Sequence, residues 1–317
     1  MKAMLIENNK LCQQDIPAPE LKPGYVIIDI HAAALNRADL LQVAGKYPPP
    51  PGWPEWPGLE CSGTICAANP DSCWEVGDKV CALLGGGGYA EKVLVPEGMV
   101  MPVPENTDFI EAAALPEVYT TAMLNLSILG ELKAGETLFV QAGASGLGIA
   151  AIQLGKLLGA KVVTTVSSEE KAQAVKAIGA DVVINRKTEE VNEVLKAHPV
   201  DVALDCAGGA ILGKCLEAVN PGGRWILVST LGGETTEIPL RVLLKKHIKL
   251  MGSTLRSRSD EEKSRILKRL TELVWPEVAA GKIRPVIHAV FPFDQAADAH
   301  EVLASQKNIG KVVLTLK

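Results

Sequence analysis

Leu138-Phe139-Val140-Gln141-Ala142-Gly143-Ala144-Ser145-Gly146-Leu147-Gly148-Ile149-Ala150-Ala151-Ile152 joins an apolar run to a glycine-rich turn and then to a helix of small residues. That order gathers unpaired backbone N–H groups at a helix N-terminus, where a pyrophosphate is readily held. Gly143 is expected to permit the tight turn, and Gly148 to let helix and strand pack closely. The middle glycine of the usual G-x-G-x-x-G spacing is Ser145, with Gly146 one place later. Spacing alone is therefore a weak signal, and its weight comes from the chain around it.

Downstream, apolar runs alternate with helical patterns. Lys161 to Val166, Asp181 to Asn185, Val200 to Asp205, Trp225 to Val228 and Ile248 to Met251 read as strands. Between them, Ser168 to Ile178, Glu189 to Ala197 and Ile211 to Val219 read as helices, with a turn at Asn220-Pro-Gly-Gly223. Near-continuous apolar strands separated by amphipathic helices predict a doubly wound parallel sheet covered on both faces.

Before Leu115 the texture changes. Short β-like runs (Val26 to His31, Gly63 to Cys66, Lys79 to Leu84, Ala90 to Val95) are divided by Pro and Gly, which predicts a small barrel or sandwich. Gly85 to Gly88 joins two such runs and opens no helix, so a flexible hairpin connection is expected there. Tyr47-Pro-Pro-Pro-Pro51 and the following Gly52-Trp53-Pro54-Glu55-Trp56-Pro57 read as a stiff loop carrying aromatic groups, of the kind that walls a binding cleft. After the last parallel strand, Ser259 and Glu262 have capping-box spacing ahead of an apolar stripe, and Asp294 to Ala304 reads as a further helix.

With 317 residues, 47% of them hydrophobic, the chain exceeds one ordinary domain and can bury a sizeable core. A net charge of −5 leaves no basic stripe, so neither nucleic acid nor an anionic membrane is expected as the main partner. No apolar run approaches the ~20 residues of a membrane span. The seven cysteines contain no Cys-x-x-Cys pair. They read as reduced structural thiols of a cytoplasmic protein rather than as metal ligands or disulfides.

Seven motifs then stand in the order of one superfamily. They are Ala33-Ala-Leu-Asn-Arg-Ala-Asp-Leu40, the Gly45-Lys-Tyr-Pro-Pro loop, Pro57-Gly-Leu-Glu60, Val76-Gly-Asp-Lys-Val80, Leu115-Pro-Glu-Val-Tyr-Thr-Thr121, Ala142 to Gly148, and Asn308-Ile-Gly-Lys-Val-Val-Leu314. Together they resemble the medium-chain dehydrogenase/reductase superfamily over essentially the whole chain, and within it the zinc-independent NADPH quinone oxidoreductase branch. The resemblance implies a discontinuous GroES-like β-rich catalytic domain (1–117 and 256–317) and a Rossmann NADP-binding domain (118–255). Where zinc alcohol dehydrogenases carry Cys before the Asp of the first motif and Gly-His-Glu later, this chain has Asn36-Arg37-Ala38-Asp39 and Gly58-Leu59-Glu60. The four-cysteine lobe expected after Val95 is missing. A catalytic zinc needs three protein ligands, so no metal site is expected.

Cofactor choice turns on the end of the second Rossmann strand, where an acid suits a ribose diol and cations suit a 2′-phosphate. Val166-Ser167-Ser168 is followed by Glu169, Glu170 and Lys171. Ser167 and Glu170 have capping-box spacing, which gives the acids an ordinary helical role. Lys171 matches the family lysine that contacts the 2′-phosphate, its alternative being a solvated helix lysine, and Arg186 follows the neighbouring strand. NADPH is therefore favoured over NADH. Gly143, Ser145, Gly146, Leu147, Gly148 and Gly208 are the candidate pyrophosphate and backbone-approach positions. By resemblance Tyr47 and Thr121 sit near the nicotinamide, and Asn308 and Lys311 reach the cofactor unless they merely close a hairpin. Hydride transfer to a quinone is the expected chemistry, with Asn36 and Tyr47 as hydrogen-bond donors to the acceptor oxygen. Asn36 and Asp39 could equally cap a short helix, and Arg37 could pair with Asp39. Reduction of activated C=C bonds (an enone or enoyl thioester) is the alternative, and a crystallin-like or RNA-binding role a further one. The segment Glu234 to Leu240 lies where relatives pair into dimers, which predicts a homodimer.

Overall fold

Thr137–Val140, the strand that leads into the glycine turn, pairs in parallel with Lys161–Val166 on one side and Val200–Asp205 on the other. The sheet continues to Val182–Asn185 beyond the first, and through Val219–Leu227 to Lys249–Gly252 beyond the second, every pairing parallel. This is the doubly wound Rossmann order: the chain works outward in both directions from one switch point, where such sheets bind ligands. In the computed structural model, which describes Met1–Lys317, the sheet belongs to a unit formed by Thr121–Leu255. A second unit comprises Met1–Thr120 and Arg256–Lys317. The division falls inside the helix Pro116–Ala122, a few residues beyond the sequence-based boundary at 117/118.

The Rossmann core explains the apolar strands. Phe139, Val163, Ile184, Ala203 and Trp225 are buried with Leu195 and Leu212 from the covering helices. Trp225 is fully buried, and its indole N–H donates to Asp205 Oδ2 at 2.9 Å. The predicted turn at 220–223 is a bulge inside a strand: Val200 pairs with Val219 and Val202 with Arg224, so the intervening residues loop out.

In the other unit Ile287–Pro292, Lys311–Thr315, Tyr25–Ala34, Glu60–Ala67, Lys79–Leu83 and Val100–Pro102 form one sheet in that order, with Lys92–Pro96 also pairing Tyr25–Ala34. The alternative reading of Asn308 and Lys311 as the close of a plain hairpin does not apply, because Lys311–Thr315 runs parallel to Ile287–Pro292. The expectation of a flexible connection at Gly85–Gly88 is corrected. All four glycines are buried, and the amides of Gly87 and Gly88 donate to the carbonyls of Trp56 and Gly58 at 2.9 and 3.0 Å. A Cβ on Gly85 would lie 2.5 Å from the Trp53 ring, and one on Gly58 2.5 Å from Gly88 Cα. These glycines are required by close backbone approach, and the tryptophan-bearing loop is what approaches.

The long helix Asp260–Ala279 starts at the predicted capping box of Ser259 and Glu262 and buries Ile266, Leu267, Leu270 and Val274. No helix is long and apolar enough to cross a membrane.

Candidate active site

The nucleotide turn is built by exclusion of side chains. The residue that takes the left-handed conformation is Ala142, φ 55°, and not Gly143. Gly143 is needed for space, since a Cβ there would meet Thr164 Oγ1 at 2.1 Å. Gly148 likewise packs against the turn rather than the strand: its Cβ would lie 2.3 Å from the Ala142 carbonyl oxygen and 2.7 Å from Gly143 Cα. Ser145 is the N-cap of Gly146–Leu157, its Oγ accepting from the Gly148 amide at 3.0 Å and donating to the Ala142 carbonyl at 2.8 Å. That leaves the amides of Gly146 and Leu147, on half-buried residues, as the helix-start donors without an intrahelical acceptor. A cradle a Cβ would fill, facing two free amides at a helix N-terminus, fits a pyrophosphate.

At the tip of the next strand the sequence placed the cap one residue early. Ser168, not Ser167, is the N-cap of Glu169–Ala177 and accepts from the Lys171 amide at 3.3 Å, with no reciprocal bond from Glu170. Ser167 is thereby released from the helix and stays half-buried at the strand end. Partial burial first, then the positive charges of Arg186 and Lys187, hold the Lys171 pKa below the ordinary lysine value against Glu170. Three cations thus converge at this end of the sheet, and Glu169 and Glu170 are exposed. Replacing Lys171 with Ala should raise the NADPH KM by about ten-fold or more, the worth of a hydrogen bond to a charged group. The NADH KM should change by less than about two-fold; steady-state kinetics with both coenzymes check this, and equal effects would return Lys171 to the solvated reading.

Gly208 adopts φ 66° and Gly209 φ 65°, and Gly208 bridges to Gly233. Asp205 holds this turn, accepting from the amides of Ala207 and Gly208 at 2.9 and 2.7 Å. Thr121, half-buried, accepts at its carbonyl from Asn125 Nδ2 at 2.7 Å.

The other unit gathers a buried charge network. Lys311 Nζ donates to the Leu35 carbonyl at 2.6 Å, Asn36 Oδ1 at 2.8 Å and Glu60 Oε1 at 2.6 Å. Asn36 Nδ2 also reaches Glu60 Oε1, at 2.9 Å, and Glu60 Oε2 accepts from the Glu117 amide at 2.8 Å. Two sequence-predicted roles change as a result. An ammonium has three protons, and Lys311 spends all three inside the chain, so it is a strut and not a cofactor contact. Asn308 is likewise turned inward, its Nδ2 donating to the Gly310 carbonyl at 2.7 Å. The Asn36 amide is committed to Glu60, which leaves Tyr47 as the better candidate donor to an acceptor.

Asn36 does cap the helix Arg37–Val43, with its backbone N–H donating to Asp39 Oδ2 at 2.7 Å. The expected Arg37–Asp39 pair is absent: Arg37 donates to the Leu303 carbonyl at 3.0 Å, whereas Asp39 accepts from the Gly58 amide and Tyr89 hydroxyl. Burial pushes the Asp39 pKa up to about 6, against the bonds it accepts from Asn36, Gly58 and Tyr89 and the charge of Lys311. Desolvation and then Glu60 push the Glu117 pKa up to about 8. Partial burial, then Glu117, raises the Tyr47 phenol, and Arg256 opposes them. Sequence reasoning missed Arg256, because Ser253-Thr-Leu-Arg-Ser-Arg258 reads as a polar connection, yet it is 7% exposed and bonded throughout. Glu117 was visible only as part of a motif.

An alcohol dehydrogenase GroES-like domain model matches residues 22–105 of this chain, and a zinc-binding dehydrogenase model residues 146–272. The chain belongs to the medium-chain dehydrogenase/reductase superfamily, a family of oxidoreductases. It is 32% identical over 311 residues to a quinone oxidoreductase of Sus scrofa, covering 96% of this chain and 93% of that one. Its structure is similar to that of the Thermus thermophilus quinone oxidoreductase, solved also with NADPH, at TM-score 0.85 and 30% identity, with both chains covered in full (100%). An NAD-dependent alcohol dehydrogenase is as close in fold, at TM-score 0.86 and 28% identity over 100% of both chains.

The zinc-binding description of one matched model raises the question of a metal. Glu60 is bonded by the Asn36 side-chain amide, the Lys311 ammonium and the Glu117 backbone N–H. The neighbouring Cys61 and Cys81 thiols are pushed up by burial, away from the thiolate form. No imidazole joins them in a cluster of three metal-binding side chains. This donor set does not fit Zn²⁺.

Proposed function

We propose that this protein is a zinc-independent NADPH-dependent quinone oxidoreductase. The observation that carries the reading is the pairing of a glycine cradle and free helix-start amides with a cationic strand end, where Lys171 and Arg186 stand in place of a diol-binding acid. Gly146, Leu147 and the Gly143–Gly148 cradle would hold the pyrophosphate, and Ser167, Lys171 and Arg186 the 2′-phosphate. When bound, NADPH supplies the hydride from C4 of its nicotinamide.

The chain's own contribution to the chemistry is a placed donor. Tyr47 is half-buried, and a phenol whose pKa lies above its usual value stays protonated at pH 7. Its Oη therefore donates a hydrogen bond to oxygen charge that develops on the acceptor. A quinone needs less polarisation than a simple ketone, so one or two neutral donors suffice without a metal. Tyr47→Phe should lower kcat by about ten-fold to a hundred-fold with the NADPH Kd unchanged, in the range of a lost oxyanion donor or somewhat below it. Undiminished turnover would leave Tyr47 a packing residue.

The reading as a whole is tested by NADPH titration followed by turnover with quinone and enone panels. Preferential enone reduction would favour the activated C=C alternative, and NADPH binding without turnover a non-catalytic role. The seven unpaired cysteines support a reducing compartment such as the cytoplasm. A homodimer is supported by the edge strand Lys249–Gly252 and by the helix Leu240–Lys246, which buries no residue and leaves Leu240 and Leu244 68% and 73% exposed. Light scattering should give twice the 33.6 kDa chain mass, and Leu244→Glu should shift the mass toward the monomer. A monomeric wild type would contradict the dimer.

A further inference from the structure

We propose that Arg256 is a positioning residue that fixes the Tyr47 phenol, so that acceptor reduction depends on a guanidinium that itself takes no part in the chemistry. The proposal rests on the reading of Tyr47 given above. Tyr47 lies in the stretch between the helix Arg37–Val43 and the strand Glu60–Ala67, a segment with no helix or strand of its own. Its place is therefore decided by what it is tied to.

Arg256 supplies the tie. Its Nη1 donates to the Tyr47 carbonyl at 3.0 Å, which fixes the backbone, and its guanidinium carbon stands 4.9 Å from the Tyr47 ring centroid, which fixes the side chain. The remaining donors anchor the guanidinium. Nε and Nη2 both donate to the Gly85 carbonyl, at 2.9 and 2.6 Å, and Nη2 also donates to Gln42 Oε1 at 2.7 Å. Gln42 in turn donates from Nε2 to the Glu55 carbonyl at 2.7 Å. One planar fork thus connects a helix, the buried glycine run and both ends of the proline-rich loop.

Three further features argue for a purpose beyond packing. The guanidinium is buried without a direct ion pair, which is costly, and its acceptors are two carbonyls and one amide oxygen. The charged and titratable groups facing it are Tyr47, Asp39 and Glu117. Its charge opposes the upward push of Glu117 on Tyr47. Lysine, a point charge without the planar fork, cannot make the same set of bonds.

The test combines kinetics with a readout that does not need turnover. Arg256→Lys should lower kcat/KM for the quinone by about ten-fold to a hundred-fold, a misplaced donor's effect, while the NADPH Kd stays unchanged. In a Tyr47→Phe background the same substitution should add less than about a two-fold loss, as expected for residues that act as one unit. Separately, NMR of ¹³C-labelled tyrosine, assigned with Tyr47→Phe, should show the Tyr47 ring resonance shifted in Arg256→Lys and its pKa raised in Arg256→Met. Losses that multiply in the double variant, or a Tyr47 resonance and pKa unmoved by both Arg256 substitutions, would overturn the proposal. If Tyr47→Phe alone retains full turnover, the donor reading fails, and the NMR arm still decides whether Arg256 places the ring. Should the Arg256 variants fold poorly, Gln42→Leu removes one anchor and should move the same resonance by a smaller amount; no movement there would overturn the proposal as well.

Discussion

Gly148→Val is expected to weaken NADPH binding by at least about a hundred-fold, or about 2.7 kcal/mol, with the protein still folded by circular dichroism. Even the first carbon of the new side chain would sit 2.3 Å from the Ala142 carbonyl oxygen and 2.7 Å from the Gly143 backbone. These atoms belong to the turn and are not flexible side-chain ends. The turn must therefore open, and it does so beside Thr164, whose Oγ1 lies 2.1 Å from where a Gly143 Cβ would stand. Opening it displaces the amides of Gly146 and Leu147, so the loss falls on the ligand more than on the core. Gly148→Ala should give a smaller loss in the same direction. Fluorescence titration with NADPH measures both; a Gly148→Val protein with an unchanged Kd would remove this turn from the site.

Lys311→Met is expected to destabilise the unit of Met1–Thr120 and Arg256–Lys317 by about 3–5 kcal/mol, the usual result of removing one partner from a buried ion pair. In a unit of this size that lowers its thermal midpoint by about 10 °C. Glu60 is fully buried and Lys311 4% exposed, so deleting the ammonium leaves a carboxylate supported only by the Asn36 amide group and the Glu117 backbone N–H. The carbonyl of Leu35 loses its partner as well. Glu60→Gln combined with Lys311→Met should recover most of the loss, because no uncompensated charge remains. Calorimetry, with the two units allowed to unfold separately, checks both variants. A single variant within about 1 kcal/mol of wild type would mean that water or a neighbour already compensates Glu60.

How much of this was legible in advance depends on the range over which each feature is decided. The doubly wound parallel sheet was legible because apolar β-branched runs and glycine-ended helices are local patterns that such a sheet demands of each segment separately, whereas the order of its strands is not local. The capping box of Ser259 and Glu262 was legible for the same reason. The cap of the helix after Lys161–Val166 was missed by one residue, since Ser167 and Ser168 are equally good caps and only the strand's extent chooses between them. Gly85–Gly88 was misread because a run of glycines signals mobility in isolation and tight packing beside a tryptophan, and nothing nearby says which.

The sequence by itself determined that a glycine-rich turn opens a doubly wound sheet, that the charge set at its tip is mixed rather than purely acidic, and that Asn36-Arg37-Ala38-Asp39 and Gly58-Leu59-Glu60 contain neither cysteine nor histidine. Only the tertiary structure decided which polar groups are spent internally. Lys311 meets Glu60 across 251 residues of chain, and Arg256 meets Tyr47 across 209. Hydrogen-bond capacity is settled by whichever donor and acceptor the fold brings together, and no local pattern carries that information.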